Sequence, residues 1–486
     1  MLKWQWVMQM LNKETTEKRE RIQYISIEDL VPPDHLLRKI DKVLDFSFVY
    51  PMVEEKYSPD KGRPSLDPVI LIKMAMIQYL YGIRSMRQTV KEIEVNTAYR
   101  WFLGLDLLDR VPNFTTFGKN YQRRFAGSDL FEKIFAHVLE QCMKRGFVKE
   151  GVVYVDSTHI KANANRNKKL KVEILRESRS YERDLQDEIN RDREAHGKKP
   201  FDDDDDDDPP ETKTVTQSTT DPESGMFVKG EHERQFAYMV STGCDDNGFV
   251  LGYDVCAGNV HDSVSFTALY DKLKDHDPCL MVMDAGYKTT AILRELLMDG
   301  VVPLTPRVDP KTGKGFFYKR EYVYDGKNDS YICPRNETLT YSTTNRQGYR
   351  EYKSRGYVCQ NCPYLQQCTK SKNHVKVITR HVWHDYWEFA EDYRLSIGMK
   401  DVYRRRKETI ERVFADGKEK HGMRYTQLRG LAKVKAEAAL RFACMNLKKM
   451  ANWACPNPYV FRFLWHFLLS STTLGVSCNK GILAYA

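Results

Sequence analysis

The stretch Gly151-Val152-Val153-Tyr154-Val155-Asp156 decides how the chain is read, together with its echo Leu280-Met281-Val282-Met283-Asp284. Each is a short apolar run that ends on an aspartate. Continuous apolar runs of this length suit strands buried inside a sheet. Adjacent strand ends can bring together two carboxylates that lie far apart in sequence. Two carboxylates that close repel unless a cation or proton lies between them. Hard divalent ions such as Mg²⁺ take oxygen ligands and keep several waters. Two such ions about 3.5–4 Å apart activate an attacking oxygen and stabilise a leaving one in phosphoryl displacement. One strand-end aspartate alone is an ordinary turn or cap residue; the pair carries the argument.

Around these runs, Phe236 to Thr242 and Phe249 to Val255 read as strands, joined by the hairpin signal Asp245-Asp246-Asn247-Gly248. Gly258-Asn259-Val260-His261-Asp262 reads as a loop, and Ser263 as the cap of a helix from Val264 to Leu273. A helix from Thr290 to Met298 and a strand from Val301 to Leu304 follow. This order predicts an α/β fold, a mixed sheet flanked by helices. Two segments interrupt it. After Ala164 comes a charged stretch of helical character to about Lys199, then the aspartate run Asp202 to Asp208 and Pro209-Pro210. That region, 166–229, is read as an exposed, partly disordered insertion, its aspartates solvated and self-repelling rather than shaped into a metal cage. The second, 306–399, is rich in Tyr, Gly, Lys and Arg and holds Cys333, Cys359, Cys362 and Cys368.

With 486 residues the chain is long for one core, and two or three domains are expected. Residues 1–150 read as helical. Asp67-Pro68 starts a helix through Val69 to Tyr81, Ser85 caps the next, and Thr115 or Thr116 starts one bearing Lys119, Arg123 and Arg124. Short helices with a basic last member fit a DNA-binding helix-turn-helix; a plain helical bundle fits as well. Segments 151–165, 230–305 and 400–450 then form the catalytic domain, and 451–486 a tail.

Charge points to a polyanion. Lys and Arg number 76 against 67 Asp and Glu, but between Tyr403 and Lys449 they number 14 against 5. Such a cluster suits phosphates, whose neutralisation releases counterions, although a solvated helix surface has the same composition. Met1 to Met10 lacks the form of a secretory signal, and the apolar tail from Tyr459 to Val476 is interrupted by Arg462 and His466. The 11 cysteines, an odd number, suit a reducing compartment. A cytoplasmic, nucleoid-associated protein without a membrane segment is expected.

A third carboxylate completes a metal cage, and Glu411 is the candidate. It lies in Thr409-Ile410-Glu411-Arg412-Val413-Phe414, within a helical stretch from Val402 to about Met450 that Gly417 and the segment around Gly422 to Gly430 can break. Lys418 comes two helical turns later, on the same face.

Four segments make a resemblance specific: Val155 to Ala162 (VDSTHIKA), Gly258 to Ser263 (GNVHDS), Asp284-Ala285-Gly286-Tyr287, and Ile410 to Ala415 (IERVFA) with its continuation through Lys418 to Gly422 and Arg429-Gly430-Leu431. Gly62-Arg63-Pro64-Ser65-Leu66-Asp67-Pro68 adds to them. Over roughly residues 20 to 450 the chain resembles bacterial insertion-sequence DDE transposases, which have an RNase H-like catalytic domain. The resemblance implies that Asp156, Asp284 and Glu411 bind two Mg²⁺ or Mn²⁺ ions. It implies cleavage at transposon ends, freeing a 3′ hydroxyl that attacks target DNA. Double-stranded DNA, both terminal inverted repeats and target, would be the partner, and a homodimer the synaptic assembly. Lys418 matches the family's basic residue on the glutamate helix; Arg404, Arg405, Arg406, Lys407 and Arg412 would grip the DNA backbone, positioning it without reading sequence. One departure stands out. Related families place Tyr and Arg at fixed intervals before the glutamate, and here those positions hold Arg404 and Lys407, with Tyr403 and Arg406 one residue away. Asn259 and Asp262 match a loop motif that serves either capping or catalysis.

Cys359-x-x-Cys362, Cys368 and the distant Cys333 offer four thiolates for a structural zinc; free thiols are the alternative. Two other functions fit the same residues: an RNase H-like DNA nuclease that does not join, and an inactive DNA-binding regulator descended from a transposase.

Overall fold

The first apolar run does not end at Asp156. The strand β1 spans Val152–Lys161 and carries the aspartate in its interior. In the computed structural model, residues 22–58, 65–125, 127–175, 181–201, 212–229, 233–308 and 312–455 are described. The aspartate run at 202–208, the Gly62-Arg63-Pro64 end of one motif, the first ten residues and the apolar tail lie outside them.

One sheet contains β1, β2 (Lys169–Leu175), β3 (Thr212–Ser218), β4 (Gly225–Lys229), β5 (Glu233–Cys244), β6 (Val250–Ala257), β7 (Leu280–Val282) and β8 (Val302–Leu304). β5 pairs antiparallel with β1 on one edge; its other edge is shared by β4 and β6. On the far side of β1, β7 and β8 run parallel to it. The central order β6-β5-β1-β7-β8, with β5 antiparallel to its neighbours, is the RNase H-like sheet implied by the resemblance. The β5–β6 hairpin forms at the Asp-Asp-Asn-Gly signal. Gly248 takes the left-handed backbone there (φ +73°), and the buried Asp245 carboxylate accepts from the Phe249 and Lys149 amides at 2.6 and 2.7 Å.

The charged stretch after Ala164 departs from the helical reading. Lys169-Leu170-Lys171-Val172-Glu173-Ile174-Leu175 alternates polar and apolar residues, the period of a strand, and forms β2; a helix follows only at Glu182–Ala195. With β3 and β4 it extends the main sheet. The second insertion forms its own antiparallel sheet of β9 (Val323–Asp325), β10 (Ser330–Ile332), β11 (Thr338–Thr344), β12 (Tyr349–Lys353) and β13 (Val377–His381), around Tyr322, Tyr331, Leu339, Tyr352 and Ile378. The two insertions dock on one another. The buried Asp192 carboxylate, from helix Glu182–Ala195, lies 2.6 Å from both Arg350 Nη2 and Thr344 Oγ1.

In the N-terminal part, Asp67 caps α1 (Pro68–Leu80), Ser85 caps Met86–Val95, and Asn113, rather than Thr115 or Thr116, caps the basic helix Phe114–Asn120. The C-terminal helical stretch is three helices, Met399–Arg404, α2 (Ile410–Lys420) and α3 (Leu431–Ala454); the gap at 421–430 takes in the expected break around Gly422 to Gly430, whereas Gly417 lies inside α2. α3 packs between β6 and the N-terminal helices, so the helical part and the sheet share one apolar core. Between α2 and α3 the chain lies along the end of β1: Lys161 N–H donates to Arg424 O (3.1 Å) and Thr426 N–H to Lys161 O (3.0 Å). Among the described residues no helix is long and apolar enough to cross a membrane.

Candidate active site

β1 and β7 pair in parallel with Tyr154 opposite Val282. Two residues further along each strand direction stand Asp156 and Asp284, so the shared register places both carboxylates on one face. Asp156 is not a strand-end residue as read from sequence, because β1 is held beyond β7 by its pairing with β5, where Asp156 stands opposite Thr242. Asp284 does follow the end of its strand, before the short 3₁₀ turn Ala285–Tyr287.

The two carboxylates meet a cation. Arg406 Nη2 lies 2.9 Å from Asp156 Oδ2 and Nη1 lies 3.3 Å from Asp284 Oδ1. The side chains are 7% exposed for Arg406, 22% for Asp156 and 54% for Asp284. Arg406 comes from the 3₁₀ turn Arg405–Lys407 before α2, and its Nη1 also donates to the Tyr403 hydroxyl at 3.1 Å. Arg406, expected at the DNA backbone, is turned inward in this state: two adjacent carboxylates demand a counter-charge, and Arg406 supplies it. Burial raises the Asp156 carboxyl above the usual carboxylate value; Arg406 opposes the shift, while the charges of Asp284 and Asp262 add to it.

α2 packs on β1 and β5 through Ile410, Val413, Phe414 and Gly417, with no room for a side chain at Gly417, whose Cβ would fall 2.9 Å from Met423 Sδ. Glu411 is exposed on the first turn, and Lys418 is partly buried further along. Among the described residues no three His, Cys, Asp or Glu side chains are gathered as a metal would hold them. The structure therefore brings Asp156 and Asp284 together and leaves Glu411 apart from them.

The oxygen-only pair suits a hard divalent ion, since its carboxylates already converge on one positive charge.

Four residues whose site role the sequence did not fix, Ser157, Asp262, Gly286 and Tyr287, lie beside the pair. Ser157 Oγ donates to Asp262 Oδ1 at 2.5 Å, Gly286 abuts the same carboxylate, and the Tyr287 phenol is buried beside it. The signal was present in GNVHDS and DAGY, but not the contact between them. Of the basic candidates, Arg404, Arg405, Lys407, Arg412, Lys119 and Arg123 are exposed. Arg404 pairs with Asp401 at 3.0 Å and Arg405 with Asp246 at 2.7 Å. Arg124 instead lies 4.0 Å over the Tyr57 ring and donates to Asn120, which takes it away from open solvent.

Cys359 and Cys362 sit on one turn (Cys362 N–H to Cys359 O, 3.0 Å), and the Tyr322 hydroxyl is 3.1 Å from Cys368 Sγ. Burial raises the Cys368 thiol, and Cys359 and Cys333 lie close enough to add to the shift. Cys359 Sγ is bonded to Ser354 Oγ at 3.3 Å, and the thiols are not closed into a metal cage.

An RNase H-like sheet with paired acidic residues at adjacent strands defines an enzyme of the nuclease and transposase class. Residues 25–123 match the family described as a transposase domain (DUF772), and residues 332–451 match the transposase DDE domain. Both matches are to transposase domains, and together they support an insertion-sequence DDE transposase. The second match takes in Glu411, Lys418 and the four cysteines; Asp156 and Asp284 lie between the two matches. No curated protein matches the chain.

Proposed function

We propose that this transposase cuts DNA at the ends of its element and joins the freed 3′ hydroxyl to target DNA, with Asp156, Asp284 and Glu411 as the metal-binding carboxylates. The observation that carries the reading is the matched register of Asp156 and Asp284, with both carboxylates drawn to one cation. When bound, two Mg²⁺ or Mn²⁺ ions would ready the attacking oxygen and offset charge on the phosphodiester. Asp156 and Asp284 would supply ligands from the sheet; Glu411, apart from them in this state, would have to be brought to the pair from the first turn of α2. In line, the attacking oxygen bonds to phosphorus as the bond to the leaving oxygen breaks; positioning and charge stabilisation supply most of the rate.

Lys418, Arg404, Arg405, Lys407 and Arg412 would hold the backbone of the reacting strand, and Arg406 would join them once its carboxylates take metal. Lys119, Arg123 and Arg124, on the N-terminal helix-turn-helix-like part, would hold terminal-repeat DNA. A homodimer would bring two ends together at the nucleoid in the cytoplasm. A structural zinc on Cys333, Cys359, Cys362 and Cys368 would tie the chain leading into β13 to β10; the mutual influence of three of these thiols supports it.

Purified protein, labelled DNA from the flanks of its gene, Mg²⁺ and a target plasmid test the reading. Joined products are expected. Cutting without joining would make the chain a nuclease, and a gel shift without cutting a DNA-binding regulator.

A further inference from the structure

The loop motif GNVHDS has a place in this site that the three-carboxylate reading does not use. Asp262 is the first residue of the helix Asp262–Leu273, where a carboxylate is favoured by the helix dipole. That helix is anchored on β5 and β6 by buried Phe266, Leu269, Tyr270 and Leu273. The loop before it is equally fixed. Gly258 N–H donates to Ala237 O at 2.9 Å, and a side chain at Gly225 would collide with the Asn259 amide at 2.4 Å. Asp262 is thus a fixed point built on the scaffold.

From that point its carboxylate reaches both aspartate segments. Oδ1 accepts from Ser157 Oγ at 2.5 Å, and the Ser157 amide in turn donates to Asp156 Oδ1 at 2.8 Å. Oδ2 lies against Gly286, where a Cβ would fall 2.7 Å away, so a side chain two residues after Asp284 would press on this hydrogen-bonded carboxylate. Because side chains alternate along a strand, Ser157 points to the opposite face of β1 from Asp156, and Asp262 braces the pair from behind. Asp156, Asp262 and Asp284 do not form a three-ligand metal group.

We infer that Asp262 is a positioning residue that fixes Asp156, through Ser157, relative to Asp284, through Gly286. The inference rests on the reading of those two aspartates as metal ligands. Groups behind metal ligands set their geometry, and losing one typically costs 10–100-fold in metal affinity or activity.

The test is Mn²⁺ binding by the full-length chain, followed by the paramagnetic signal of free Mn²⁺, with a thermal melt of each variant. Asp284→Asn is the reference and should abolish specific binding. Asp262→Ala is expected to weaken binding about tenfold with little change in melting temperature. Asp262→Asn, which keeps an acceptor for Ser157, should recover most of the loss. Ser157→Ala should weaken binding in the same direction, and the double variant Asp262→Ala/Ser157→Ala should be no weaker than Asp262→Ala. If Asp262→Ala does not fold, Ser157→Ala decides by the same readout. Wild-type affinity in the deciding variant, with Asp284→Asn defective, would overturn this inference alone. Mn²⁺ binding that does not depend on Asp284 would overturn both it and the reading beneath it.

Discussion

Nη2 of Arg406 lies 2.9 Å from Oδ2 of Asp156, and the same guanidinium reaches Asp284 with Nη1. A 7% exposed guanidinium has given up most of its hydration, and its Nε makes no hydrogen bond. What compensates is the pair of carboxylates, which would repel one another without it. Arg406 therefore supplies, between Asp156 and Asp284, the positive charge that the proposed function assigns to a divalent ion.

Arg406→Ala removes that charge and leaves two carboxylates facing each other. Breaking a buried pair costs about 3–5 kcal/mol, and the half-exposed Asp284 places this case at the low end. The expected result is a lower melting temperature in chelator, of which added Mg²⁺ restores a larger part than it adds to the wild type. Equal Mg²⁺ effects on the two proteins would count against the arrangement.

Stability should fall in acid through His421. This residue follows α2, is 3% exposed, and bonds through Nδ1 to Tyr79 O of α1 at 2.9 Å, joining the end of α2 to the N-terminal part. Burial, with the nearby Lys448 charge, pushes its imidazole down to about 4, whereas in the unfolded chain it sits at about 6.5. The folded imidazole stays neutral while the unfolded one takes a proton, so its contribution is present above pH 6.5 and is lost as the pH falls towards 4. The full loss is roughly 3 kcal/mol. Urea unfolding at a series of pH values should show this slope in the wild type and a shallower one in His421→Gln.

Lys407 and Arg412 are exposed on the turn before α2 and on its first turn. If both contact phosphates, each alanine substitution should weaken binding to all duplexes alike and lower the slope of log affinity against log salt by about 0.9. Titration of labelled duplex at several salt concentrations measures it; an unchanged slope would remove the residue from the interface.

Metal content tests the cysteines. The protein prepared without chelator should carry about one zinc per chain, and Cys359→Ser or Cys368→Ser should lose it while keeping Mn²⁺ binding. Zinc-free wild-type protein that melts as the native protein does would make these free thiols.

The two aspartates were legible because each follows an apolar run, and runs of that kind form neighbouring strands in this sheet. Their matched register was not legible, since it is set by pairing across intervening chain. Arg406 was hidden for a related reason. Arg404, Arg405, Arg406 and Lys407 look alike in sequence, and only the phase of the 3₁₀ turn decides that Arg406 points inward while its neighbours face solvent. β2 departs from the helical reading because a two-residue alternation over Lys169–Leu175 sits in a lysine- and glutamate-rich stretch whose composition suits a helix equally well. Asp262 was noticed as part of a motif, but its contacts to Ser157 and Gly286 join segments about 100 and 24 residues away, which no local pattern encodes.

The most direct test of the central claim is strand cleavage of labelled terminal DNA in Mg²⁺ by wild type and by Asp284→Asn. The substitution keeps the size of the side chain and removes the charge proposed to bind metal. Cleavage by the wild type, lost by at least about a hundredfold in Asp284→Asn with duplex affinity retained, is the predicted result. Cleavage by Asp284→Asn at the wild-type rate would contradict the assignment of the site.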